Sequence, residues 1–277
     1  MPMTDAIPEM KRNLRFFPVT NKQPSRLTRA QVQHFNEKGY VFPLDVFNDD
    51  EVKQNRNYFD DMIDRALSAG WNSYSINGWQ RHCKGIYDLA MEPRILDYVQ
   101  DLAGENLVCT MTHYFCKLPG DTKQVAWHQD ASYWPLTPSK VVTVWLAIDD
   151  VDEDNGPMTV IPGSHLHGII PFEHSTKEEN NVLGQTVQGA DKWGHAPVPF
   201  VMQAGQISIH TDMLLHGSAP NLSERRRCGL TLRYNPPEVR GDNSYHGYGM
   251  VCRGSDPDGY WRHRPRPETD EVPPRQR

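Results

Sequence analysis

Two hydrophobic spacings divide the chain. Up to about residue 104 apolar positions recur every three or four residues; from 107 on they alternate, or run in short blocks between turns. The first spacing belongs to helices with one buried face, the second to strands. Thr28 is a fit N-cap for a helix running through Phe35 and ended by Gly39, after which Tyr40-Val41-Phe42 reads as a strand. Asn48-Asp49-Asp50 opens a second helix, along which Val52, Tyr58, Met62, Ile63 and Leu67 form a core stripe up to Gly70. Pro93 fits the first position of another helix, with Ile95, Leu96, Tyr98, Val99 and Leu102 inward and Gly104 at its end. Residues 71–84 lack periodicity and carry Tyr74, Trp79, Arg81, His82 and Lys84. They read as a loop, either covering a site or simply lying on the surface.

Strands are expected at 107–117, 141–148, 158–162, 198–202, 206–209, 214–215 and 228–234, with an acidic turn at 149–156. Residues 172–197 are polar and aperiodic, an expected long insertion over a barrel mouth. Many short strands separated by turn signals argue for a closed or double-sheet β architecture with flanking helices. The expected organisation is an arm at 1–26, one domain at 27–253 and a loosely ordered, Pro- and Arg-rich tail at 254–277.

Composition narrows the class. The 277 residues suit one large domain with a sizeable core. A net charge of −6 and a pI of about 6.0 give no basic field for nucleic acid. Mean hydropathy is −0.67 and no long apolar run argues for a membrane span. No signal-peptide pattern opens the chain, and five scattered cysteines form no Cys-x-x-Cys; a cytoplasmic protein with reduced thiols is expected.

The candidate chemistry centres on Trp127-His128-Gln129-Asp130. Residues two apart on a strand share a face, so an imidazole and a carboxylate can converge. With 12 histidines and 35 acids in the chain, one His-x-Asp carries little weight alone. A third donor is needed, and His216 in Leu214-Leu215-His216-Gly217-Ser218 is the candidate. Two histidines and one carboxylate suit non-haem Fe(II), with positions left open for substrates. His165 and His167 form a rival pair in a turn. His210-Thr211-Asp212 is a second His-x-Asp, and His210 is expected to be a satisfied interior or rim residue. Arg227, eleven positions after His216, opens an alternating segment and can point inward beside the metal; Arg225 and Arg226 are its neighbours and rivals.

Taken in order, several segments resemble the phytanoyl-CoA dioxygenase family. They are His128-Gln129-Asp130, Tyr133-Trp134-Pro135-Leu136, Asn155-Gly156-Pro157-Met158, Ile161-Pro162-Gly163-Ser164-His165, and His216-Gly217-Ser218-Ala219-Pro220-Asn221 with Arg227 behind it. The likeness runs from about Leu27 to about Arg253. It implies a double-stranded β-helix (a jelly-roll, cupin-like core) and an enzyme that uses Fe(II), 2-oxoglutarate and O2, with ascorbate as an aid. His128, Asp130 and His216 would hold iron. Arg227, helped by Ser218, would hold the distal carboxylate of 2-oxoglutarate through a planar fork that never deprotonates. Trp134 and Trp145 would be pocket walls or core aromatics. His113, with Phe115 and Lys117 on the same strand face, would border the cosubstrate. Related halogenases lack the acid; its presence at Asp130 implies hydroxylation.

The substrate is less legible. The opening Phe16-Phe17-Pro18-Val19-Thr20-Asn21 and residues 79–84 resemble the family's bacterial enzymes that hydroxylate 2-aminoethylphosphonate next to phosphorus. Arg81, His82, Lys84 and Arg233 would then be candidates for the phosphonate, and Tyr74 and Trp79 for the ammonium. A free amino acid or a natural-product intermediate is the alternative small-molecule substrate. A His-Asp-His zinc hydrolase and a non-catalytic barrel binder are the alternatives of a different class.

Overall fold

The computed structural model describes residues 2–242 and 245–275. Helix α1 (Arg29–Lys38) begins in a reciprocal capping box between Thr28 and Gln31 and ends at Gly39, whose φ of 91° suits glycine. Helix α2 (Asp49–Ser68) uses the same device between Asn48 and Glu51. Residues 79–90, expected to begin as loop, instead form a 3-10 turn at Trp79–Arg81 and a short helix α3 (Lys84–Ala90). Seven residues are too few for periodicity to declare itself. The helix is fixed from outside: Gly85 lies against the Tyr58 ring and its N–H donates to Asp270. Helix α4 (Pro93–Ala103) starts on Pro93 as expected.

Ten strands build two facing antiparallel sheets: β1 (Tyr40–Asp45), β2 (Leu107–Lys117), β3 (Val125–His128), β4 (Val142–Ala147), β5 (Met158–Val160), β6 (Val198–Pro199), β7 (Gln206–Thr211), β8 (His216–Ser218), β9 (Arg227–Asn235) and β10 (Met250–Arg253). The larger sheet runs β1-β7-β4-β9-β2-β10 and the smaller β3-β8-β5-β6. The pair forms the double-stranded β-helix. Leu214 and Leu215, expected on a strand, lie buried in the turn before β8, and β5 stops before Pro162, which has no N–H to donate.

Strand alternation sorts the two faces of the larger sheet. Cys228, Leu230, Leu232 and Tyr234 of β9, Val144 and Leu146 of β4, and Ile207 and Ile209 of β7 pack with Phe35, Phe59, Met62, Ile95 and Val99 of the helices. The opposite face carries Arg227, Thr231 and Arg233 of β9, Thr143 and Trp145 of β4 and His210 of β7 into a cavity between the sheets.

The peripheral segments are anchored to this frame. Residue 3 pairs with residue 172 through two backbone hydrogen bonds, and Arg12 donates to the carbonyls of Ala131 and Trp134 at 2.8 and 2.7 Å. In the insertion, Asn181 accepts from the Ala126 amide at 2.9 Å, and Leu183 reaches the cavity. The tail, expected to be loose, is docked: Asp270 accepts from the Tyr58 hydroxyl at 2.6 Å, and the buried Trp261 donates to Val239. The five cysteines are all unpaired thiols. Among the described residues no helix is long and apolar enough to cross a membrane.

Candidate active site

His128 is the last residue of β3, and Asp130 begins a 3-10 turn instead of continuing the strand. Gln129 keeps extended dihedrals (φ −110°, ψ 130°), so alternation still carries Asp130 to the His128 face. His216 is the ladder partner of His128 across β3 and β8, and the two ring centroids lie 4.1 Å apart. The sheet pairing thus joins donors 88 positions apart in the chain.

Both imidazoles are oriented by backbone. Nδ1 of His128 lies 2.8 Å from the Ala126 carbonyl and Nδ1 of His216 lies 2.9 Å from the Leu214 carbonyl. A carbonyl only accepts, so Nδ1 carries the proton and Nε2 keeps its lone pair for a metal. One ligand atom from each of His128, Asp130 and His216 lies within 4.8 Å of the others, and all three residues are buried. Thr143 donates to Asp130 Oδ2 at 3.0 Å and fixes the carboxylate.

The electrostatics suit a divalent ion. Burial, then the neighbouring His128, holds His216 well below its ordinary pKa, so it remains a neutral ligand. Burial alone would raise the Asp130 carboxyl; the imidazoles of His128 and His210 and the Arg233 charge outweigh it and keep it ionised. Two neutral nitrogens and one carboxylate fit Fe(II).

The cavity around them has a volume of about 350 Å³. At one end Arg227, buried, donates from Nε and Nη2 to the Gly156 carbonyl at 3.0 and 2.8 Å, and from Nη2 to Ser218 at 3.3 Å. Its Nη1 makes no protein hydrogen bond among the described residues, and its guanidinium lies 5.7 Å from the Trp145 ring centroid. Position 229 must be glycine for that stack: a Cβ there would stand 1.9 Å from Trp145. Lys117, opposite Arg227 in the ladder, is buried and donates to the Lys123 and Ser218 carbonyls; burial and Arg227 push it down to about 7. It braces the turn.

The structure brings together His128, Asp130, His216, Arg227, Ser218, Trp134, Trp145, His113 and Arg233 as cavity-lining residues. Burial pushes His113 down to about 3, so it is a neutral wall, held 2.7 Å from the Tyr74 carbonyl. The rival arginines face elsewhere: Arg225 pairs with Asp152, and Arg226 with Asp149 and Asp60. Both precede β9, so strand alternation does not apply to Arg225.

Five candidates do not border the cavity. Tyr74 donates its hydroxyl to Asp121 at 2.7 Å, and Trp79 is buried edge-on to Trp71. Arg81 stacks on Tyr248 and bonds to the Gly78 carbonyl; His82 is exposed and Lys84 starts α3. For Trp79, Arg81, His82 and Lys84 the physical reason is the turn and helix within 79–90, which pack against α2 and the tail; Tyr74 is turned away by its bond to Asp121.

Other lining residues escaped sequence reading. Thr143 had a signal, lying two positions before Trp145 on an alternating strand. Tyr133 stood in the segment Tyr133-Trp134-Pro135-Leu136 that resembles the family, and Tyr245 had no signal. His210 was expected to be satisfied, yet both of its buried ring nitrogens lack a hydrogen-bond partner among the described residues, and Nε2 stands 3.9 Å from Asp130.

Comparison with known proteins agrees with this geometry. The profile of the family described as phytanoyl-CoA dioxygenase (PhyH) matches residues 35–229. Peroxisomal phytanoyl-CoA dioxygenase of Bos taurus is 31% identical over 232 residues, covering 75% of this chain and 68% of that protein. A probable alpha-ketoglutarate-dependent hypophosphite dioxygenase of Stutzerimonas stutzeri is 29% identical over 154 residues, 54% of this chain and 52% of that one. Among solved structures, the non-heme monooxygenase ThoJ in its apo form superposes with a TM-score of 0.74 at 28% identity, covering 86% of this chain and 88% of that chain. The chain belongs to the phytanoyl-CoA dioxygenase family and is an Fe(II)- and 2-oxoglutarate-dependent oxygenase.

Proposed function

We propose that this member of the family is a hydroxylase of a small polar metabolite, with 2-aminoethylphosphonate, hydroxylated at the carbon next to phosphorus, as the leading substrate. The observation that carries the reading is the joining of His128, Asp130 and His216 with Arg227 in one cavity. His128, Asp130 and His216 hold the iron. Arg227 and Ser218 receive the distal carboxylate of 2-oxoglutarate, with Trp145 as its wall. Bound there, iron, 2-oxoglutarate and O2 supply the oxidising power that converts a C–H bond to C–OH, with succinate and CO2 as co-products.

The chain's own groups do the rest. Thr143 and Arg12 fix the carboxylate and the turn behind it, so the donors are in place before any ligand arrives. Trp134, Tyr133 and Leu183 line the cavity and supply apolar and aromatic surface around the donors. Ligand sites usually measure about 300–1,000 Å³; a cavity of about 350 Å³ that also admits 2-oxoglutarate leaves room for a small molecule. This supports a compact substrate over a long acyl thioester. A relative named for hypophosphite, a small phosphorus oxyanion, supports the phosphonate choice. Hydroxylation of a free amino acid or a natural-product intermediate fits the same volume and is the second reading.

The test is Fe(II)-dependent conversion of 2-oxoglutarate to succinate across a panel of aminophosphonates and amino acids. Stimulation by 2-aminoethylphosphonate, with the 1-hydroxy product formed in step with succinate, is expected. Stimulation by amino acids alone would remove the phosphonate, and no succinate with any metal-loaded preparation would remove the hydroxylase.

A further inference from the structure

Arg233 lies on the same face of β9 as Arg227, six positions further along. Its ladder partner on β4 is Thr143, whose hydroxyl holds Asp130. Arg233 is therefore level with the metal-binding donors, whereas Arg227 is anchored at Gly156 and Ser218, beyond them. The two arginines thus reach the cavity at different levels along β9.

Arg233 is more than nine-tenths buried, and its Nε and Nη1 make no hydrogen bond among the described residues. The guanidinium lies 5.0 Å from the Trp134 ring centroid and borders the cavity. Such a group is costly to keep: buried charges in folded proteins are nearly always paired. Arg226, in contrast, is paired with Asp149 and Asp60, and Arg227 has its Nε and Nη2 bonded to Gly156 and Ser218, with Nη1 alone left over.

Charge points the same way. Asp130 is the one carboxylate that lines the cavity among the described residues, facing two arginines. A divalent ion balanced by doubly charged 2-oxoglutarate leaves the protein's own excess of one positive charge uncompensated. Burial keeps His113 neutral, and Tyr133 and Tyr245 are likewise pushed up and stay neutral.

We propose that Arg233 is the anion subsite for the primary substrate, and that this substrate carries a phosphonate or carboxylate group which fills the missing partners of the guanidinium. Trp134 holds the fork flat so that two parallel N–H groups meet one oxyanion. The substrate is drawn in with its anionic end on Arg233 and its neighbouring carbon toward the triad. This assignment rests on the hydroxylase reading above.

The experiment uses full-length protein loaded with Zn(II) and 2-oxoglutarate, which binds without turning over. Calorimetry measures 2-aminoethylphosphonate, its carboxylate counterpart 3-aminopropanoate, and the neutral-headed 3-aminopropanamide, against wild type, Arg233→Met and Arg233→Lys. At least one anion is expected to bind at least tenfold tighter than the amide. Arg233→Met should erase that preference, and Arg233→Lys should keep part of it. The tighter of the two anions identifies the source of the charge. In Arg233→Met, 2-oxoglutarate affinity should stay within threefold. The assignment is overturned by equal binding of amide and anions, by binding of no anion, or by undiminished anion binding in Arg233→Met. Loss of 2-oxoglutarate binding by wild type would instead sink the hydroxylase reading itself.

Discussion

Replacing Arg227 by methionine keeps an unbranched apolar stem and removes the charge and the donors. In the structure two of those donors are committed to Gly156 and Ser218, leaving Nη1 for the cosubstrate. Hydrogen bonds to charged groups contribute about 1.5–3 kcal/mol each, and truncating one side of a buried charge pair costs about 2–5 kcal/mol. At about 1.4 kcal/mol per tenfold, the dissociation constant of 2-oxoglutarate should rise by roughly 30- to 3,000-fold. Arg227→Lys should fall between, since one ammonium cannot serve the Gly156 carbonyl and a carboxylate fork together. Calorimetric titration of 2-oxoglutarate into the Zn(II)-loaded variants reads the effect directly, with metal content checked in parallel. A change below threefold in Arg227→Met, with metal content intact, would refute the assignment of Arg227.

Three further outcomes follow from the same geometry. Gly229→Ala places a methyl 1.9 Å from Trp145; overpacking of about 1–3 kcal/mol should lower the melting temperature by several degrees and raise the KM for 2-oxoglutarate about tenfold, and unchanged values would show that Trp145 moves freely. Thr143→Val removes the hydroxyl from Asp130 Oδ2 and should weaken Fe(II) binding by about 10–100-fold, read by equilibrium dialysis; unchanged affinity would deny the carboxylate its support. Asp212, held by Ser139 and Thr211, has its carboxyl raised by burial from 3.8 to about 7. Between those values the folded protein holds a proton that the unfolded chain has released, so stability falls as pH rises from about 4 to about 7 and is flat above, by at most about 4 kcal/mol. Denaturant titrations of Asp212→Asn should lack that slope; an identical slope would contradict the buried carboxyl.

The sequence made the site legible wherever a local rule fixed geometry. His128 and Asp130 share a face because one extended residue separates them, and Arg227 faces inward because β9 alternates from it. The helix starts at Thr28, Asn48 and Pro93 were readable because capping is a contact within four residues. What sequence could not reveal depended on distant chain. Helix α3 is held by Asp270, nearly two hundred positions away, so its Lys84 and the preceding Arg81 and His82 read as loop residues free to meet a ligand. His210 and Tyr245 reach the cavity through sheet order and chain return, which no spacing encodes. Arg233 was legible as an inward arginine; its lack of partners was not, because pairing is a property of the assembled cavity.

The central claim is that one ion is held by His128, Asp130 and His216. Equilibrium dialysis of Fe(II) under nitrogen against wild type and single alanine variants at 128, 130, 216 and 210 tests it most directly. The account predicts one tightly bound iron per chain in wild type and in the His210 variant, and loss of at least two orders of magnitude in affinity in the other three. Full iron occupancy in any of those three, or equal loss in the His210 variant, would contradict it.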